Sequence, residues 1–238
     1  MTSQSPSVFL SCSKNAAKKA GARDERILSV GNPGFDHSLF SNFDDLPEAG
    51  KEAAAVSSLY KSKSTLVNEK ATRTAVKSEM EKSDVIHLAL HSQIDDDVPL
   101  RSKLVVANAR IEAADKLSPS VIYAYEIYNL NLPRTRLVVL SACQSGAERY
   151  YAGEGMMSLA RSFIGAGVPL VVASLWPIDS AATEELMVSF HNHRTQEGIT
   201  TVEALRNAQR DMVRSSTGSH RRPFYWAAFS VTGGYATF

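Results

Sequence analysis

Residues 84–90 read D-V-I-H-L-A-L, and residues 136–143 read R-L-V-V-L-S-A-C. Each is a nearly continuous apolar run of strand length, the pattern of a strand buried on both faces of a parallel sheet. Residues 168–175, V-P-L-V-V-A-S-L, form a third such run. A shorter one at 26–32, R-I-L-S-V-G-N, is closed by the turn signal Asn32-Pro33-Gly34, and residues 103–107 suggest another short strand. Helical patterns separate and follow these runs. Residues 46–60 carry a proline near the start, acids in the first turns and apolar residues at helical spacing. Residues 69–81 and 154–164 continue the series. Residues 180–193 place Leu186, Met187 and Phe190 together behind Ser180 as the expected N-cap. Residues 201–214 gather Ala204, Leu205, Ala208 and Met212 on one face. Strands alternating with helices imply βαβ units and a mainly parallel sheet. The aromatic tail at 223–231, P-F-Y-W-A-A-F-S-V, is expected to return to that sheet as a last strand.

Composition narrows the function. The 26 basic residues nearly balance the 25 acidic ones, so no field draws the chain to nucleic acid or to an anionic membrane. No apolar run reaches the ~18 residues of a membrane span. Two cysteines, Cys12 and Cys143, are too few for a secreted disulfide framework and are not spaced as a metal pair. A reduced, cytoplasmic setting is the expectation. At the N-terminus the lysines follow the short apolar stretch, the reverse of a secretory signal. There is no repeat of solenoid period and no low-complexity linker, so a single domain is expected.

In parallel α/β sheets, reactive groups gather beyond the carboxyl ends of the strands. His91 directly follows the strand at 84–90, and Cys143 ends the strand at 136–143, before the turn Gln144-Ser145-Gly146. The two are 52 positions apart, close to the roughly 50-residue upstream histidine of caspases. Chemistry gives the pairing a purpose. A free thiol with pKa near 8.5 is mostly protonated at neutral pH and needs a neighbouring imidazole to become a nucleophile. The same imidazole can then protonate the departing amine. On these residues alone the bland readings stand beside this one: Cys143 as a small buried hydrophobe, His91 as an ordinary strand-end histidine.

Other polar residues offer less. Asp95-Asp96-Asp97 lacks the spacing of a calcium loop and reads as a solvated turn. Glu154 suits the start of a helix by its charge. His87, inside a strand, reads as packing. His191 and His193 are two apart on a helix and face different sides, a poor metal pair. Val30-Gly31-Asn32-Pro33-Gly34 matches neither nucleotide-binding pattern. No metal or other cofactor is expected.

A resemblance extends this reading. V-I-H-L-A-L-H-S (85–92) and V-V-L-S-A-C-Q-S-G (138–146) resemble the two catalytic motifs of the CHAT domains, a caspase-like family often joined to tetratricopeptide repeats. Residues 152–183 resemble that family's GEG helix, its Gly-Ala-Gly turn and its SLWPVDD segment. Residues 27–35, 46–56, 203–209 and 224–235 match further elements in order. The resemblance runs from about residue 6 to 235. It implies a caspase-like three-layer α/β/α sandwich, and a cysteine endopeptidase that acts through a His91–Cys143 dyad and a thioester intermediate. It also implies an oxyanion hole from the backbone at Ser92 and Cys143, and a protein substrate. Where the family has glycine after the histidine, this chain has Ser92; a serine keeps the backbone N–H but resists a positive φ. Asp179 corresponds to an acidic position that, in the related separases, faces the residue preceding the cut; the alternative is a helix cap. The family further implies a repeat-containing regulatory domain or activator as partner. Residues 1–25 are expected to be the remnant of a shortened first part of the domain, and 26–238 its caspase-like body. The rival function is a catalytically silent interaction module on the same fold.

Overall fold

The computed structural model describes residues 2–19, 24–95, 97–108, 120–141, 155–176, 179–196, 198–215 and 220–238. Its main sheet orders six strands as β2-β1-β3-β7-β8-β9: β2 Ser62–Asn68, β1 Arg26–Pro33, β3 Val85–Ala89, β7 Leu137–Leu140, β8 Leu170–Ser174 and β9 Phe229–Gly233. The first five run parallel and β9 closes the sheet antiparallel. All five residues of β3, all four of β7 and all five of β8 are buried, which is why these strands read as unbroken apolar runs.

The strands' two-residue period sends alternate side chains to two cores. On one face Leu28, Ile86, Leu88, Val138 and Val171 pack with Val76 and Met80 of α3 (Arg73–Met80) and with Phe163 of α5 (Gly155–Gly165). On the other, Ile27, Val85, Val139 and Val172 meet Val56 of α2 (Pro47–Ser58), Phe190 of α6 (Ser180–Arg194) and Leu205 of α7 (Thr201–Arg214). Helices on both faces of one mainly parallel sheet make the three-layer α/β/α sandwich. Gly31 allows α2 to lie close on β1: a Cβ there would stand 2.1 Å from the Ala49 carbonyl oxygen.

A second sheet of three short antiparallel strands, β4 Ser92–Gln93, β5 Lys103–Val105 and β6 Val121–Tyr123, begins one residue past His91. A short helix, α4 (Ala124–Tyr128), follows it. Helix α1 (Pro6–Lys19) is anchored at its end by the Lys19 ammonium, which donates to the carbonyls of Leu132, Thr135 and Gly167 at 2.8–3.0 Å. Burial lowers the Lys19 pKa to about 8.

Three local expectations change. The helix expected at 69–81 starts later, at Arg73, because Asn68 turns the chain with φ 52° and Thr72 caps the helix by accepting from Ala75 N–H. The N-cap of α6 is Asp179, not Ser180: Asp179 has extended backbone angles and its carboxylate accepts from Ala182 N–H. The tail at 223–231 is not one strand. Pro223 opens a short helix, α8 (Pro223–Trp226), before the chain enters β9.

Candidate active site

β3 and β7 are neighbours at the centre of the sheet, with Leu88 opposite Leu140, and Ser141 N–H extends the pairing by donating to Leu88 C=O at 2.9 Å. Chain leaving β3 and chain leaving β7 therefore emerge side by side at the carboxyl ends of adjacent parallel strands. His91 is two residues past β3; Ser141 is the last described residue past β7, and Cys143 lies outside the described residues.

The His91 ring is held on several sides. Phe43 stacks on it at 4.4 Å and 13°, and Phe35 meets it edge-on at 5.5 Å and 81°. Its Nε2 stands 2.7 Å from the Asp44 carbonyl oxygen. A carbonyl can only accept, so Nε2 carries the proton and, in the neutral ring, Nδ1 is the basic nitrogen. Burial pushes the His91 pKa below its ordinary 6.5, against the opposing pull of the Asp44 carbonyl and the charges of Asp44 and Asp45. At neutral pH the ring is thus uncharged and able to take a proton.

Phe43 and Asp44 belong to the turn at 34–46, which sequence reading passed over. Its aromatic residues Phe35, Phe40 and Phe43 pack with Val105 and Val121 under the small sheet. Asn32, at φ 44°, fixes the turn's exit by accepting from Leu46 N–H at 2.7 Å. The aromatic triad in F-D-H-S-L-F-S-N-F-D-D was the available signal; the decisive acceptor is a backbone carbonyl, which any residue at position 44 would supply.

Ser92 is buried and opens β4 opposite Leu104. His91 C=O accepts from Val105 N–H at 2.9 Å, so residues 91 and 105 form the hydrogen-bonded pair and the Ser92 N–H turns away from β5. Among the described residues, only Asn32 and Asn68 are non-glycine residues with positive φ. Ser92 adopts a conformation open to any residue, and glycine is not required there.

Asp179 caps α6. One carboxylate oxygen accepts from Ala182 N–H at 3.0 Å, and its carbonyl accepts from Thr183 N–H and Oγ1. The second carboxylate oxygen takes no part in the cap.

His87 is more than packing. Its Nε2 donates to the Glu52 carboxylate at 2.9 Å, and its Nδ1 lies 3.2 Å from His191 Nε2, both imidazoles fully buried. His193 turns outward to Asp211 at 2.6 Å, on a different side from His191. Asp95 accepts from Val98 N–H in a tight turn; Asp96 and Glu154 lie outside the described residues. Among the described residues, no three His, Cys, Asp or Glu side chains cluster as a metal site, and no helix is long and apolar enough to cross a membrane.

Known proteins resemble the chain in sequence and in fold. Tetratricopeptide repeat protein 28 of Homo sapiens is 28% identical over 233 residues covering 86% of this chain, and its Mus musculus counterpart 27% over the same share. The chain spans only 9% of the length of either relative. Among solved structures, the Arg-specific cysteine proteinase gingipain R superposes over 94% of this chain and 48% of its own, with a TM-score of 0.55 at 11% identity. Separase, from the Saccharomyces cerevisiae separase–securin complex, superposes over 91% of this chain and 12% of its own, with a TM-score of 0.53 at 14% identity. At those identities the likeness is one of fold, and it is caspase-like. A family model described as the CHAT domain matches residues 2–234, and the chain belongs to the CHAT domain family.

Proposed function

We propose that this chain is a cysteine endopeptidase domain in which His91 serves Cys143. The observation that carries the reading is His91 itself: neutral, fixed at Nε2, and set at the end of the strand beside the one that leads to Cys143. In the reaction Nδ1 accepts the thiol proton as sulfur attacks the substrate carbonyl carbon. The backbone N–H groups of Ser92 and Cys143 hold the developing oxyanion. The imidazolium then protonates the leaving amine, and a thioester remains on Cys143. Water, deprotonated by the same ring, hydrolyses the thioester and restores the thiol. No step calls for a metal or other cofactor. Incubation with a peptide library is expected to give discrete cleavage products that disappear in Cys143→Ala. Products unchanged in Cys143→Ala, or none with either protein, would instead favour a silent interaction module. The repeat-named relatives support a repeat-containing regulatory partner.

Asp179 would select substrates with Arg or Lys before the cut, using the carboxylate oxygen left over from capping. Charge-assisted hydrogen bonds of this kind contribute roughly 1.5–3 kcal/mol. Asp179→Asn keeps an oxygen for the cap and removes the charge. It is expected to lower kcat/KM about ten- to a hundredfold for a basic substrate and to spare a neutral one, with melting temperature unchanged. Asp179→Ala adds a stability loss of ~1 kcal/mol. Equal losses on both substrates would leave Asp179 a helix cap and nothing more.

A further inference from the structure

Trp176 stands in the same row of the sheet that leads to His91. His87, Val139 and Val172 are register partners across β3, β7 and β8, and His91, Cys143 and Trp176 follow them by four residues each. β8 keeps its pairing almost to that point: Leu175 N–H donates to Ala228 C=O at 2.8 Å. Neighbouring strands lie about 5 Å apart, so the strand that leads to Cys143 is flanked by the chain carrying His91 on one side and the chain carrying Trp176 on the other. β9 runs antiparallel to β8, with Phe229 opposite Ser174. The start of β9, and α8 before it, therefore lie at the same edge of the sheet as His91.

α8 presents aromatic surface at this edge. Phe224 is 52% exposed, and Tyr225, half-buried, meets it edge-on at 5.4 Å and 83°. An exposed aromatic by itself asks for no explanation; this one belongs to a platform whose members are tied together. Trp176 Nε1–H donates to Phe224 C=O at 3.1 Å, and Trp226 Nε1–H to Arg221 C=O at 3.0 Å. Gln209 on α7 holds the segment from behind, its amide donating to Trp226 C=O and Phe229 C=O, both at 3.1 Å. Trp176, Tyr225 and Trp226 rest on the core under α6 and α7, which leaves Phe224 outermost. The exposed Arg221 and Arg222 precede α8, and His220, whose ring lies 5.1 Å from that of Tyr225, is paired with Glu185 at 2.8 Å.

We propose that Trp176 and Phe224 form a substrate subsite that takes an apolar side chain, Leu, Ile, Val or Phe, from the residues ahead of the one preceding the cut. The subsite rests on the peptidase reading for its role. An extended peptide advances about 3.3 Å per residue, so a substrate held at Cys143 crosses the roughly 10 Å from β7 to β9 in three residues. An aromatic wall fixed before binding accepts an apolar group at little cost in ordering. The two exposed guanidinium groups beside it disfavour Arg and Lys at the same place, which separates this preference from that of Asp179.

The chain's two tryptophans, Trp176 and Trp226, both belong to the platform, so intrinsic fluorescence reads its occupancy. Cys143→Ala is titrated with two tetrapeptide amides, Leu-Leu-Leu-Arg and Ser-Ser-Ser-Arg, and wild type is assayed on the same sequences extended past the arginine. The leucine peptide is expected to perturb the emission and to bind at least about tenfold more tightly than the serine peptide, the gain from burying a leucine side chain. Phe224→Ala, a truncation at the surface, should keep the melting temperature and lose most of that advantage; Phe224→Leu should retain much of it. Equal affinity for the two peptides, no change of emission with either, or an advantage unaltered in Phe224→Ala overturns the subsite. Cleavage by wild type without a preference for leucine also overturns it and leaves the peptidase reading standing. A leucine advantage that depends on Phe224, with no cleavage by wild type, would uphold the apolar site and sink the peptidase reading.

Discussion

Replacing His91 with alanine is expected to lower kcat/KM for a cleaved peptide by about a thousandfold or more, with the melting temperature only a few degrees lower. One imidazole is both base toward the thiol and acid toward the leaving amine, and general acid–base catalysis of this kind contributes about a hundred- to ten-thousandfold at each step. The fold depends on the ring less, because the Phe35–Phe40–Phe43 cluster also packs on Val105 and Val121. A gentler variant probes positioning. Phe43→Ala removes the stacked face while Asp44 C=O keeps its hold on Nε2, and should cost about tenfold in kcat/KM through a looser ring. Equal kcat/KM in wild type and His91→Ala would remove His91 from the chemistry. Loss in His87→Ala with activity intact in His91→Ala would reverse the assignment.

His87→Ala should have the largest effect on stability. It strips the buried Glu52 carboxylate of its partner and leaves His191 Nε2–H without an acceptor. Leaving a buried polar group without its hydrogen-bond partner costs roughly 1–3 kcal/mol, several degrees in melting temperature for a chain of this size. Glu52→Gln on top of His87→Ala should recover part of the loss, since glutamine has no ionisable group to leave unpaired. The same cluster sets an acid limit. The His191 pKa lies well below its ordinary 6.5, by burial first and then by His87 and Arg194, and that of His91 is lowered too. Below pH ~6.5 the unfolded chain binds protons that the folded chain refuses, so stability is full above that pH and falls as pH drops. His191→Phe should flatten the slope. Calorimetry between pH 5 and 8 reads both effects, and a slope of opposite sign would place a charged imidazole in the core.

Strands β3, β7 and β8 were legible because burial on both faces leaves only apolar residues to choose from. Strand β2 was not. Its residues S-K-S-T-L-V-N lie at the sheet edge, none of them fully buried, and read as polar chain. Helix α1 buries only Cys12 and Ala16, too little to mark a face. Spacing and strand-end position singled out His91 and Cys143 as candidates. What holds His91 was hidden, because Asp44 acts through its backbone and Phe43 comes from a turn 48 residues earlier in the chain. The His87–His191 contact was equally silent: 104 residues separate the two rings, and each alone looks like a histidine in an apolar face.

The rate of Cys143 alkylation by iodoacetamide near pH 6.5, followed by mass spectrometry in wild type and His91→Ala, tests the dyad most directly. Cys12 is the internal reference, since it is buried and burial raises its pKa. A neighbouring basic Nδ1 raises the thiolate fraction of Cys143. Wild type should therefore label Cys143 at least about tenfold faster than Cys12, and His91→Ala should lose most of that advantage. Equal labelling of the two cysteines in wild type, or a Cys143 rate unchanged by His91→Ala, would contradict the pairing of this thiol with this imidazole.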